Sequence, residues 1–378
     1  MTIYDRRAPQ DGCDPYGYLL VHFIEDPEHY AERIYLDLSE GDDPERWHPL
    51  NGGEPILTSP LGTRGVRDPY LVRNPETGRV YIIATDLQVF AEGGGSDGGS
   101  DWYKFSHHGS TNLIVWHSDD LVHWSEPHTL DVSRRPDGSH AQLGMAWAPE
   151  AMWVPDYYPA DPADPAADGG AAGGVDADGG RGAFVLYWSS TMFADDDADH
   201  ADPSAYDRVM WGVTRDFTDD TFAFGGVFID RGHPTIDTTM LRHELPDGTT
   251  RMYRATKDNG PHANIWLDAT DSPRWWEPDA QWHVIQENIG ADWTPERHAG
   301  GVEGPALFAS HSDDRVFLFV DVIPSIGYRP MVSDDPDTGF DYLRSDRFSM
   351  APHTKHGGVL SLTRAEYDRL LAADGTIG

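Results

Sequence analysis

The sequence predicts an all-β fold, a five-bladed β-propeller whose ring is closed by pairing of the C-terminal strand with the N-terminal blade. Three observations carry the prediction. Apolar residues alternate with a period of two in short runs punctuated by 39 Gly and 28 Pro, and helical spacing is confined to residues 364–373. A strongly apolar strand recurs five times, at residues 18–23, 80–87, 183–190, 251–258 and 316–322. A turn running from Ser, Thr or Asp into an aromatic residue also recurs five times: Ser39 to Trp47, Ser118 to Trp124, Thr214 to Phe222, Asp271 to Trp276 and Ser333 to Tyr342. Units of about 60–75 residues, each with several short strands, have the size of propeller blades.

Four of the apolar strands follow an acid-bearing phrase that itself opens a strand. The phrases are Arg67-Asp68-Pro69-Tyr70, Ala148-Pro149-Glu150-Ala151, Ile236-Asp237-Thr238-Thr239 and Glu303-Gly304-Pro305-Ala306. They read as the inner strands of four blades. The apolar strand at 18–23 has no such partner ahead of it, and the strand at 356–362 has no blade of its own. Pairing the two completes the N-terminal blade and leaves only short, protected strand edges. The whole chain, 1–378, reads as one domain. The polar, Gly-rich segments 91–101 and 159–182 read as loop insertions, the second at a blade edge.

Sixty-four acidic against 28 basic side chains give a net charge of −36, which repels nucleic acid and anionic lipid, so neither is an expected partner. No run of 18 apolar residues predicts a membrane span. The one cysteine, Cys13, allows no internal disulfide. The first residues lack a basic region followed by an apolar stretch, so a cytoplasmic location is expected.

In a propeller the inner strands line a central channel, so Asp68, Glu150, Asp237, Glu303 and His356, each at the opening of an inner strand, converge on one pocket. The repeat is expected to set the carboxylates at the same point of each copy. Hydrolysis of a glycosidic bond takes one carboxylic acid to protonate the leaving oxygen and a second carboxylate to activate water or attack the sugar. Glu303, flanked by Val302, Gly304 and Pro305, has the apolar setting and the reach of the acid. Asp68 follows Arg67, whose charge favours the ionised form of a base if the two side chains are close. Most of the 13 Trp serve packing, while Trp102, Trp147 and Trp188 are candidates to stack on a sugar ring. Lys257, Arg329 and Arg67 are candidates to bind sugar hydroxyls, and Asp86 is a further candidate acid.

The four phrases resemble glycoside hydrolase family 43: an Asp-Pro in the first, Trp147-Ala148-Pro149-acid in the second, Ile-Asp in the third and Glu-Gly-Pro in the fourth. The resemblance runs from about residue 18 to 371. It implies an inverting enzyme on a five-bladed propeller, acting on arabinose- or xylose-containing glycans. By position, Asp68 resembles the general base, Glu303 the general acid, and Asp237 the third carboxylate, which raises the acid's pKa and orients it. Inversion implies roughly 6.5–9.5 Å between acid and base. Thr238 stands where Pro often follows the third acid, and Glu150 where Asp is common; Glu150 is expected in the substrate pocket. His356 resembles a channel histidine that holds Ca2+ or Na+ through water, although no segment has the spacing of a dedicated metal site and no cofactor is required. The expected activity is an exo-acting α-L-arabinofuranosidase, with β-xylosidase and endo-arabinanase as rivals. A fructan-cleaving propeller is disfavoured, because its Asn-Asp-Pro and Glu-Cys phrases are missing. A non-catalytic sugar-binding propeller is the alternative of another class.

Overall fold

The computed structural model describes residues 15–24, 32–90, 101–158, 182–245, 247–260, 264–291, 301–323 and 326–378. Cys13, residues 91–100 and residues 159–181 of the two expected insertions lie outside the described residues.

Twenty strands form five four-stranded antiparallel sheets among the described residues. In chain order the first blade contributes β1 (Pro15–Ile24), β2 (Tyr35–Glu40) and β3 (Asp43–Pro49). The second holds β4 (Val66–Arg73), β5 (Val80–Asp86), β6 (Asn112–Ser118) and β7 (His128–Asp131). The third holds β8 (Trp147–Val154), β9 (Ala183–Thr191), β10 (Asp207–Thr214) and β11 (Ala223–Ile229). The fourth holds β12 (Thr235–Glu244), β13 (Thr250–Asp258), β14 (Ile265–Thr270) and β15 (His283–Ile289). The fifth holds β16 (Val302–Ala309), β17 (Val316–Val322), β18 (Gly327–Ser333) and β19 (Asp341–Tyr342). The last strand, β20 (Thr354–Thr363), returns to the first blade, whose order is β20-β1-β2-β3. Inner strands β4, β8, β12, β16 and β20 touch one another in cyclic order, so the ring is closed.

The apolar second strands are explained by the stacking of the blades. Each blade is covered on both faces by its neighbours, so a middle strand buries side chains on either side of its pleat. In β5, Ile82 and Ala84 enter the core shared with the first blade, whereas Tyr81 and Ile83 enter the core shared with the third. Corresponding clusters fill the other three seams. The recurrent turn joins the third strand of each blade to the fourth. In its two most similar copies the Ser118 and Thr214 hydroxyl oxygens accept the amides of Leu121 and Phe217, at 2.8 and 2.9 Å. The turn drives those buried apolar side chains into a seam at positive φ, 67° and 60°.

Closure rests on small residues and a polar clasp. A Cβ at Gly357 would lie 1.8 Å from the Val21 carbonyl oxygen, and one at Gly358 2.4 Å from the Tyr70 ring, so β20 reaches its place only with glycine there. Across the seam between the fifth and first blades, His311 bonds Asp42 Oδ1 through Nδ1 (2.6 Å) and Ser361 Oγ through Nε2 (2.7 Å). Arg315 pairs with Glu45 at 2.6 Å beside it. The helical spacing near the C-terminus is α2 (Arg364–Ala372), opened by a Thr363–Glu366 capping box. The short helix α1 (Trp102–His107) was not anticipated; Asp101 caps it by accepting the Lys104 amide. No helix among the described residues is long and apolar enough to cross a membrane.

Candidate active site

Every acid-bearing phrase carries a one-residue bulge, and the bulge sets the geometry of the site. Register against the second strand slips between Arg67 and Tyr70, Trp147 and Glu150, Ile236 and Thr238, and Glu303 and Ala306. The extra residue of each bulge has positive φ: Asp68 47°, Ala148 48°, Asp237 48° and Gly304 55°. Aligned on the bulge, the four acids do not share one position. Asp68 and Asp237 are the bulge residues, Glu303 stands one residue before its bulge and Glu150 two after. The expectation of equivalent placement is therefore corrected: the acids share a strand end, with three different offsets along it.

The bulges are held by the preceding blade. Opposite the residue ahead of each bulge, the second strands carry Thr85, Ser189, Lys257 and Asp321. Thr85 donates its hydroxyl to Asp68 Oδ2 (2.9 Å) and accepts the amide of Ala148 in the next blade (2.9 Å). Ser189 accepts the Asp237 amide at 2.9 Å. Lys257, a donor only, gives its ammonium to the Val302 carbonyl at 2.8 Å, and the amide of Gly304 goes instead to Asp237 Oδ2 at 3.1 Å. Asp321 pairs with Lys355 at 2.6 Å. Of the four, only Lys257 is among the candidates from the sequence. A signal was nonetheless present for the other three, because Thr85, Ser189 and Asp321 are each the first polar residue after an unbroken apolar run.

Three of the acids interact through a low-dielectric interior. Burial first, then the charges of Glu303 and Asp68, push the Asp237 carboxyl well above its ordinary value, while the Gly304 amide and Lys257 oppose that rise. Asp68 faces His356, whose Nδ1 lies 3.7 Å from Oδ1; burial pulls the imidazole below its ordinary value and Asp68 works against that. Gly304 permits the approach of His356: a Cβ there would lie 2.7 Å from the His356 Cβ. No three His, Cys, Asp or Glu side chains gather as ligands among the described residues, and Asp321 is already neutralised by Lys355.

Several candidate binders stand elsewhere than expected. Glu150 is 1% exposed; its Oε2 accepts the Tyr187 hydroxyl at 3.2 Å, and burial pushes the carboxyl well above its ordinary value. It is a wall residue between the third and fourth blades and offers no surface to a sugar. Trp188 is 0% exposed in the core between the second and third blades and stacks on nothing from outside. Asp86 is buried, accepts the amide and hydroxyl of Thr63, both at 2.8 Å, and braces the loop ahead of β4. Arg329 lies on the third strand of its blade, donating to the Tyr328 carbonyl at 2.8 Å. Lys257 is buried rather than presented to solvent.

Arg67 pairs with Glu32 at 3.2 Å. Its guanidinium lies 4.8 Å from the Phe23 ring centre and 5.9 Å from that of Trp102. Trp102, 49% exposed on α1, meets the half-buried Trp147 edge to face at 6.1 Å. Trp147 occupies the position of Arg67 in the next blade, so the pair forms an aromatic corner beside the bulges of two adjacent blades.

A family model described as a probable glycosyl hydrolase domain matches residues 14–368. The chain is 28% identical over 232 residues to an α-L-arabinofuranosidase of Bifidobacterium longum subsp. longum; the match covers 60% of this chain and 18% of that relative. The chain thus spans less than a fifth of the length of the curated relative it matches. Among solved structures it is similar to an α-L-arabinofuranosidase from Lactobacillus brevis, with a TM-score of 0.43, 14% identity and coverage of 73% of this chain and 71% of that one. It is also similar to a Bacillus subtilis arabinanase, with a TM-score of 0.40, 15% identity and coverage of 81% and 82%.

Proposed function

The chain belongs to the family of probable glycosyl hydrolase domains related to glycoside hydrolase family 43, and from that premise we propose that it is an inverting, exo-acting α-L-arabinofuranosidase releasing terminal arabinose from oligosaccharides. In this reading Asp68 takes a proton from water as the water oxygen bonds the anomeric carbon. The glycosidic C–O bond breaks with its electron pair passing to the leaving oxygen, which receives the proton of Glu303. Asp237 holds the neighbourhood of Glu303 through the Gly304 amide and shares its field. The observation that carries the reading is that Asp68, Asp237 and Glu303, contributed by three different blades, stand at or beside the bulges at the same end of their inner strands, with Asp237 Oδ2 accepting the amide next to Glu303.

Arabinose is favoured over xylose by the relative named an α-L-arabinofuranosidase. The Trp102–Trp147 corner gives a sugar ring an apolar face to lie against. The test is release of p-nitrophenol from the α-L-arabinofuranoside and from the β-D-xyloside. Turnover of the first in excess of the second supports the assignment; the opposite preference moves it to a β-xylosidase. Activity on neither, with arabino-oligosaccharides cleaved internally, moves it to an endo-acting enzyme.

A further inference from the structure

The ring of second-strand residues that hold the bulges changes its chemistry at one seam. Thr85 and Ser189 are hydroxyls, and each serves a bulge in the next blade by accepting an amide. At the equivalent position the fourth blade carries Lys257. Its backbone pairs with Ile236, the residue before Asp237, while its ammonium donates to the carbonyl of Val302, the residue before Glu303. One residue, through its backbone and its ammonium, therefore ties together the strand ends that carry both acids. This is also the seam across which two carboxylates face one another, where a hydroxyl would leave them without a nearby cation.

We propose that Lys257 is a positioning residue that braces Asp237 against Glu303 and supplies the buried positive charge that lets the two carboxyls share the channel. The inference rests on the reading of Glu303 and Asp237 as the acid and its companion. The charged groups facing Lys257 are Glu303, Asp237, Asp258 and Asp321, with the first two interacting most strongly. Asp237 in turn faces Glu303, Asp68 and Lys257. Asp321 is held by Lys355, and His356 lies against Asp68. Lys257 is thus a buried cation that acts on both Asp237 and Glu303. Losing it removes an opposite charge from both, which favours their protonated forms.

The experiment is a carbon-13 titration of the aspartate carboxyls in the full chain, with Asp237 identified by its loss in Asp237→Asn. It is run on the wild type, Lys257→Met and Lys257→Arg; Lys257→Gln replaces the methionine variant if that one does not fold. The Asp237 midpoint is expected to rise by about one pH unit, a tenfold change in proton affinity, on removal of the charge, and to return with arginine. In parallel, the alkaline limb of the pH–rate profile is expected to move upward in the neutral variants and not in arginine's. A merely structural lysine would lower activity without moving either midpoint, and unchanged midpoints in a folded neutral variant overturn the proposal. If the wild type hydrolyses no pentoside, the proposed function falls, while the carboxyl titration still decides whether Lys257 performs this role.

Discussion

Gly304 donates its amide to Asp237 Oδ2 at 3.1 Å, so the residue beside the fifth blade's acid fixes the rotamer of the fourth blade's acid. The bond exists because both chains bulge at this point. Asp237 is itself the left-handed residue of its bulge, and Gly304 is the left-handed residue of the next. Position 304 tolerates no side chain, since a Cβ would press on His356. Gly304→Ala is therefore expected to destabilise the protein by about 1–3 kcal/mol and to reduce activity more than that loss explains. Denaturant melts and kcat/KM on the aryl arabinofuranoside check both parts.

Glu150 gives a pH-dependent test of the wall between blades. Its folded-state pKa is raised by burial, so the folded protein holds this proton more tightly than the unfolded chain does. By linkage the stability it contributes is present below the ordinary carboxyl range and is lost as pH rises through the folded pKa. Glu150→Gln keeps the shape and cannot ionise. Relative to wild type, its Tm is expected to be higher at about pH 8 than at about pH 5, and a difference that shrinks with rising pH would contradict this.

Much of this architecture was legible in the sequence because it follows from two periodicities. The alternation of two and the recurring apolar strand reported five blades, since every second strand is sandwiched between neighbours. The unpaired strand at 18–23 required a partner, and β20 supplies it at Leu20↔Val359. The bulge was not legible. Nothing in Arg67-Asp68-Pro69 distinguishes a residue at a φ of 47° from an ordinary strand residue, so the different offsets of Asp68, Glu303 and Glu150 cannot be read from their phrases. The fates of Trp188 and Arg329 were hidden for a related reason. Which face of a blade a side chain takes, and which strand of the blade carries it, depends on register, which composition does not encode.

Trp102 is the exposed member of the aromatic corner, and its backbone sits on a capped helix, so truncation removes contact area without disturbing the acids. Trp102→Ala is expected to raise KM roughly 2–10-fold on an arabino-oligosaccharide with kcat nearly unchanged. Steady-state kinetics with isothermal titration of the unhydrolysed ligand checks this, and a fall in kcat alone would remove Trp102 from the binding surface.

Ring closure makes a separate prediction about stability. His311 joins Asp42 and Ser361 from within a buried seam, so His311→Leu removes both bonds, leaving Asp42 only the Gly17 amide, and is expected to cost about 1–3 kcal/mol. The more exposed Arg315–Glu45 pair is expected to contribute about 0–1 kcal/mol when broken by Arg315→Ala. Equal losses in urea denaturation would mean that the clasp is no stronger than a surface pair.

The roles of the two outer acids are tested most directly by the dependence on leaving group. Kinetics of Glu303→Gln and Asp68→Asn would be compared on an arabino-oligosaccharide and on p-nitrophenyl α-L-arabinofuranoside, whose phenolate departs without protonation. Glu303→Gln is expected to lose roughly 10²–10⁴-fold on the natural linkage and far less on the aryl glycoside, whereas Asp68→Asn loses comparably on both. The reverse pattern, or a Glu303→Gln variant equally impaired on both substrates, would contradict the assignment of acid and base.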